Sequence, residues 1–126
     1  SRVNQIRKKN NKNFIGLSTG MNSLIRPTLY GSYHHIHNLS NIDNNEKNYY
    51  DIVGPICESG DVFGKNRLLS VANVSDIILI ENAGAYGHVM SSSYNMRQPL
   101  REKILDNGKN NSIIYNSSDN TFISCI

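Results

Sequence analysis

Short apolar runs broken by polar residues recur along the chain, and most carry the period-two alternation of half-buried strands. The stretches "VNQIRK" and "NFIGLS" flank an Asn/Lys-rich turn and predict a hairpin. "SYHHIHNLS" alternates as a further strand, with Tyr33, His35 and His37 on one face and His34 and Ile36 on the other. "NIDNNEKNYY" reads as a polar loop, and "YDIVGPICE" as the next strand, with Pro55 marking an edge or a bulge. "SDIILIENAGAYG" is an apolar strand running into a Gly-rich turn, and "SIIYNS" and "TFISCI" form a closing pair. Two segments predict short helices. "MNSLIRPTLYGS" is one, broken by Pro27 after a turn, and "QPLREKILDNG" is the other, stopped at Gly108. The expectation is one mainly β domain over 1–126, an antiparallel barrel or sandwich.

Composition narrows this little. The formal charge of +3 is too small to argue for nucleic acid, and its early cluster "RKKNNKN" reads as a solvated hairpin tip. No apolar run approaches the roughly 18 residues of a membrane helix. The two cysteines, Cys57 and Cys125, follow no signal peptide and form no secreted disulfide framework, which predicts a reducing, cytoplasmic setting. The chain opens on Ser1, as expected for a piece of something longer.

Four clusters carry candidate chemistry. In "LIRPTLY", Arg26 and Tyr30 are four apart, so one helical turn brings them to one face. There a guanidinium fork and a phenol can share a carboxylate. An exposed arginine beside a packed tyrosine explains the same spacing. In "VGPICESGD", Cys57 and Glu58 are neighbours, which a regular strand would turn to opposite faces. A bulge or turn near Pro55 and Gly60 can present both, the thiol for proton transfer and the carboxylate for an ammonium group. A structural cysteine with a rim glutamate is the plainer account. In "ENAGAYGHVMSSSYN", Gly84 and Gly87 bracket Tyr86, whose hydroxyl can reach a phosphate, although no P-loop lysine follows. His35 and His37 share a face if this is a strand, but the three histidines His34, His35 and His37 are read as exposed residues in preference to a metal site.

Taken in order, "TGMNSLIRPTLYGSYH", "VGPICESGDVFGKNRLL" and "NAGAYGHVMSSSYN" closely resemble the C-terminal part of the diaminopimelate decarboxylases. The wording of the first is most similar to the forms fused to an aspartate kinase. The resemblance spans residues 3–105. It implies the C-terminal β domain of a fold-type III pyridoxal-phosphate enzyme, whose (β/α)8 barrel is absent from this chain. That barrel carries the cofactor-holding lysine. Lys8, Lys9, Lys12, Lys47, Lys65, Lys103 and Lys109 all sit in polar, loop-like surroundings. The implied reaction converts meso-2,6-diaminopimelate to L-lysine and CO2, with pyridoxal 5'-phosphate carrying the hard step.

Residue roles follow from the same resemblance. Arg26 and Tyr30 match the grip on the distal carboxylate, and Glu58 the partner of the distal ammonium. Cys57 matches the proton donor, and Tyr86 the contact to cofactor phosphate and substrate. Cys57 and Glu58 are expected to enter the partner's site in a head-to-tail homodimer, while Arg26, Tyr30 and Tyr86 serve their own. Neither nucleic acid nor membrane is an expected partner, and the isolated chain is expected to be inactive. Two departures stand out: Ser18-Thr19-Gly20 replaces the start of "DAGMN", and His88 stands where a less polar residue is usual. Alternative readings are an ornithine- or arginine-type decarboxylase domain and a non-catalytic dimerisation module or remnant. The "RPTLY" grip and Glu58 favour diaminopimelate.

Overall fold

The computed structural model describes residues 1–100 and, beyond them, the backbone of three short strands. The first elements form as their pattern predicts. Strands β1 (Val3–Lys9) and β2 (Lys12–Leu17) pair antiparallel, with Lys9 opposite Lys12. Their two-residue turn, Asn10-Asn11, takes positive φ at both positions (50° and 59°), the geometry that matches strand twist and that Asn tolerates. A bulge between Val3 and Gln5 shifts the parity of β1. Val3 is thereby buried, and Ile6, three residues on, packs against the same core.

After β2 the chain makes helix α1 (Arg26–Tyr30), strand β3 (Ile36–Asn38) and strand β4 (Lys47–Val53). Strand β5 (Val62–Ser70) returns antiparallel to β4. The four-stranded sheet has the order β1-β2-β4-β5. The β2–β4 pair is parallel, against the all-antiparallel expectation. The long crossover through α1 and β3 permits this, since parallel neighbours need a connection of a dozen or more residues. Strand β6 (Ile78–Ile80) pairs antiparallel with β3 in a second sheet. An isolated Arg2–Ile77 bridge, with Val3 N–H donating to the Asp76 carbonyl (2.8 Å), joins that sheet to the start of β1. The core between the sheets is Val3, Ile15, Leu17, Leu24, Ile36, Tyr50, Ile52, Phe63, Leu69, Ala72 and Ile78.

The mainly β class stands, with corrections. Pro27 does not break α1. It sits in the first turn, where its missing N–H removes no helical bond. The helix ends instead at Gly31, in the left-handed region (φ 64°), whose N–H bonds the Pro27 carbonyl at 3.0 Å. Within "QPLREKILDNG" the described residues are not helical: Glu102–Ile104 form β7, paired with β8 (Ile113–Asn116), which pairs with β9 (Thr121–Ser124). The β-branched run in β8 draws this short segment into a sheet. The expected stop at Gly108 lies outside the described residues, as do Cys125 and the side chains of Lys103 and Lys109. The strand expected over "YDIVGPICE" ends at Val53, and part of the expected polar loop is the start of β4.

Candidate functional site

Helix α1 and the turn after β4 are held side by side. Thr28 Oγ1 donates to the Gly60 carbonyl at 2.7 Å. A Cβ on Gly60 would sit 2.9 Å from the Thr28 methyl, so glycine permits this approach. The turn itself closes around Asp61, which is buried. Its carboxylate accepts from the backbone N–H of Met21 and of Ile56, both at 2.7 Å, while its carbonyl accepts from Gly54 at 2.9 Å. A Cβ on Gly54 would fall 2.2 Å from Asp61 Oδ2. Residues 54–61 are therefore a turn wrapped on one carboxylate, and Cys57 and Glu58 stand exposed on its outer side.

Burial pushes the Asp61 carboxyl above its ordinary value of 3.8, opposed by the Ile56 and Met21 N–H groups and by the charge of Arg97. A raised folded-state pKa means that the folded chain holds its proton longer than the unfolded one. The associated stability is full below 3.8 and declines as pH rises through the raised value. Asp61→Asn should abolish that decline in a series of denaturant titrations across pH. Asp61→Ala, which strands two backbone donors, should lower stability by about 2–4 kcal/mol in the same measurement.

On the other flank of α1, three predicted residues converge. The Arg26 guanidinium lies 5.4 Å from the ring centroid of Tyr30 and 5.4 Å from that of Tyr86, within cation–π range of both. The first contact follows from the helical spacing, whereas the second joins residues sixty positions apart. Tyr86 sits at the left-handed φ of 62°. Of the two bracketing glycines only Gly87 is sterically required: a Cβ there would meet the Ala83 carbonyl at 2.2 Å, whereas one on Gly84 meets nothing. Among the described residues the ion pairs are Lys12–Asp51 and His37–Glu81, and Arg26 joins neither. Its N–H fork is left for another acceptor.

Cys57 and Glu58 form a second cluster with residues that the sequence pattern did not single out. The Tyr94 hydroxyl donates a short hydrogen bond to Glu58 Oε1, and Asn95 Nδ2 donates to Cys57 Sγ at 3.0 Å. The bond to Glu58, followed by its negative charge, holds the Tyr94 phenol above its ordinary value of 10.0. The only hint in the sequence was that both residues close the "SSSYN" motif. The five predicted residues thus fall into two contact groups, Arg26 with Tyr30 and Tyr86, and Cys57 and Glu58 with Asn95 and Tyr94.

The histidines alternate as predicted. His34 is buried and bonds the Glu81 carbonyl (2.9 Å), while His35 stacks on His37 at 6.4 Å and meets the Tyr33 ring edge at 5.0 Å. His37 Nε2 pairs with Glu81 Oε1 at 2.8 Å. Among the described residues no group of three or more His, Cys, Asp or Glu is placed to hold a metal ion. No helix among them is long and apolar enough to cross a membrane.

Pyridoxal phosphate needs a desolvated amine and a cradle of donors for its phosphate. Lys8, Lys9, Lys12, Lys47 and Lys65 are all exposed. The Tyr86 hydroxyl supplies one outward donor, which suits a supporting contact to a phosphate held mainly elsewhere.

Residues 1–84 match the C-terminal sheet domain of the pyridoxal-dependent decarboxylases. Over 105 residues the chain is 47% identical to a diaminopimelate decarboxylase of Archaeoglobus fulgidus, covering 83% of this chain and 25% of that protein. The crystal structure of the Helicobacter pylori diaminopimelate decarboxylase complexed with L-lysine superposes with a TM-score of 0.76 at 40% identity, covering 83% of this chain and 25% of that one. The M. jannaschii enzyme in complex with L-lysine gives 0.76 at 38% identity, covering 81% and 23%. The chain spans about a quarter of the length of the curated relatives it matches. Family match, identity and superposition agree: the chain belongs to the pyridoxal-dependent decarboxylases as their C-terminal sheet domain, and it is 38–47% identical to the diaminopimelate decarboxylases named above.

Proposed function

We propose that this chain is the part of a cytoplasmic diaminopimelate decarboxylase that selects the substrate and returns the proton. The reaction is meso-2,6-diaminopimelate to L-lysine and CO2. The observation that carries the reading is the unpaired Arg26 fork flanked by Tyr30 and Tyr86. Its rings hold the guanidinium in place and leave its donors for a carboxylate, which the phenols can also bond. Pyridoxal phosphate, bound mainly to a barrel domain, supplies the electron sink when present.

Each residue here has a separate task. Arg26 and Tyr30 bind the carboxylate at the end of the substrate that does not react. Glu58 binds the ammonium at that end. Cys57 gives its thiol proton to the carbon that has lost CO2, and Tyr86 donates its hydroxyl to the cofactor phosphate. An amine without the distal carboxylate leaves Arg26 desolvated and unpaired, so ornithine-like substrates are rejected. All four of Cys57, Glu58, Tyr30 and Tyr86 are exposed, which supports a site completed by another surface. The family resemblance and the exposure of Cys57 and Glu58 support a head-to-tail homodimer in which these two serve the partner's cofactor.

The test is to join residues 1–126 behind the barrel domain of a diaminopimelate decarboxylase, add pyridoxal phosphate, and follow lysine released from meso-diaminopimelate. Release by the joined protein, with none from the chain alone, is the expected result. A joined protein that folds, binds the cofactor and releases lysine no faster than the barrel alone would overturn the reading.

A further inference from the structure

The Cys57–Glu58 pair is gripped by another adjacent pair, and in inverse order: Tyr94 bonds Glu58 and Asn95 bonds Cys57. We propose that Tyr94 and Asn95 are positioning residues, fixing Glu58 and Cys57 as one unit so that carboxylate and thiol act on the same substrate. The proposal rests on the roles given to Cys57 and Glu58 above.

Three features carry it. First, both clamped residues are exposed on the outer side of a turn. A glutamate there loses substantial rotamer entropy on being fixed, and only specific partners hold it. Second, each bond leaves the chemistry free. The Tyr94 phenol occupies Oε1 and leaves the second carboxylate oxygen for an ammonium group. The Asn95 amide donates to sulfur and leaves the S–H proton available for transfer. Third, clamp and clamped turn share one base. Asp61 ties the turn to the Met21 N–H (2.7 Å). The clamp segment ties to the same stretch: Ser92 N–H donates to the Asn22 carbonyl at 2.9 Å, and Arg97 Nη2 to the Ser18 carbonyl at 2.9 Å. Residues 18–22 therefore set the spacing between the two pairs. The backbone agrees, since Asn95 takes φ 57° and Met96 φ 57°. Asn95 thus donates to Cys57 from a left-handed backbone position, which Asn is among the residues to tolerate.

Two measurements test the clamp. On the chain itself, spectrophotometric titration should show one tyrosine ionising above the ordinary tyrosine range. Tyr94→Phe should remove that step, and Glu58→Gln should return it to the ordinary range. In the barrel-joined enzyme, Tyr94→Phe should raise KM for meso-diaminopimelate roughly tenfold with kcat little changed, because only ammonium binding is loosened. Asn95→Gly keeps the positive φ but removes the amide. It should lower kcat roughly tenfold with KM little changed, and Asn95→Asp, similar in size but without the donor, should match it. A high-pH tyrosine step unchanged by Glu58→Gln, with wild-type kinetics in Tyr94→Phe, Asn95→Gly and Asn95→Asp while Cys57→Ala and Glu58→Gln lose activity, would overturn the clamp and leave the site reading standing. Full activity in Cys57→Ala and Glu58→Gln would overturn both.

Discussion

Cys57→Ala should lower the rate of lysine release by about 10²–10⁴-fold in the barrel-joined enzyme, the range for losing a positioned proton donor. KM should change little, because the carboxylate and ammonium contacts belong to Arg26, Tyr30 and Glu58. Folding should be unaffected. The Cys57 side chain is exposed, and the turn that carries it is held by Asp61 through backbone groups that the substitution does not touch. A near-native melting curve alongside the lost rate would separate a chemical role from a structural one. Wild-type kcat in Cys57→Ala would remove the thiol from the reaction.

Arg26→Ala should lower kcat/KM for meso-diaminopimelate by about 10²–10³-fold, the value of a two-pronged bond to a charged group. Discrimination against ornithine should fall with it, since a substrate without the distal carboxylate no longer strands a guanidinium. Arg26→Lys should recover only part of the loss. An ammonium keeps the charge but cannot present two parallel donors, and it stacks less well between the rings of Tyr30 and Tyr86. Competition assays with both substrates give the discrimination ratio directly. A ratio unchanged by Arg26→Ala would place carboxylate recognition elsewhere.

Local pattern revealed those parts of the fold that local rules govern. The β1–β2 hairpin was legible because alternating residues flank two turn-forming asparagines. The Arg26–Tyr30 face was legible from helical spacing. Strand β5 was not read as a strand, because Gly64, Lys65 and Asn66 interrupt its alternation. Asn66 takes φ 52° and its N–H bonds Asp51 Oδ1 at 2.7 Å, where the ladder with β4 shifts register. The parallel β2–β4 pairing was invisible for a different reason, since no local signal states which strand lies beside which. The false helix over 98–108 had helical spacing at Leu100 and Ile104, and β8 outweighed it.

The site divides in the same way. Tyr86 was singled out by its bracketing glycines, but its contact with Arg26 is long-range and no local pattern shows it. Tyr94 and Asn95 were missed altogether. Both are exposed polar residues in a Ser-rich stretch, and nothing local marks them as partners of residues almost forty positions earlier. Cys57 and Glu58 stand exposed together on the Asp61-wrapped turn, the bulge or turn that Pro55 and Gly60 suggested, whereas a regular strand would have turned them to opposite faces.

The most direct test of the central claim is complementation between two impaired proteins. Cys57→Ala and Arg26→Ala versions of the barrel-joined enzyme are unfolded together, refolded as a mixture, and assayed for lysine release. If Cys57 serves the partner's site and Arg26 its own, each mixed dimer holds one intact site and one doubly damaged site. Random assembly then restores about a quarter of wild-type activity. A mixture no more active than its two components, with mixed dimers demonstrated, would contradict the account and put both clusters in one chain's own site.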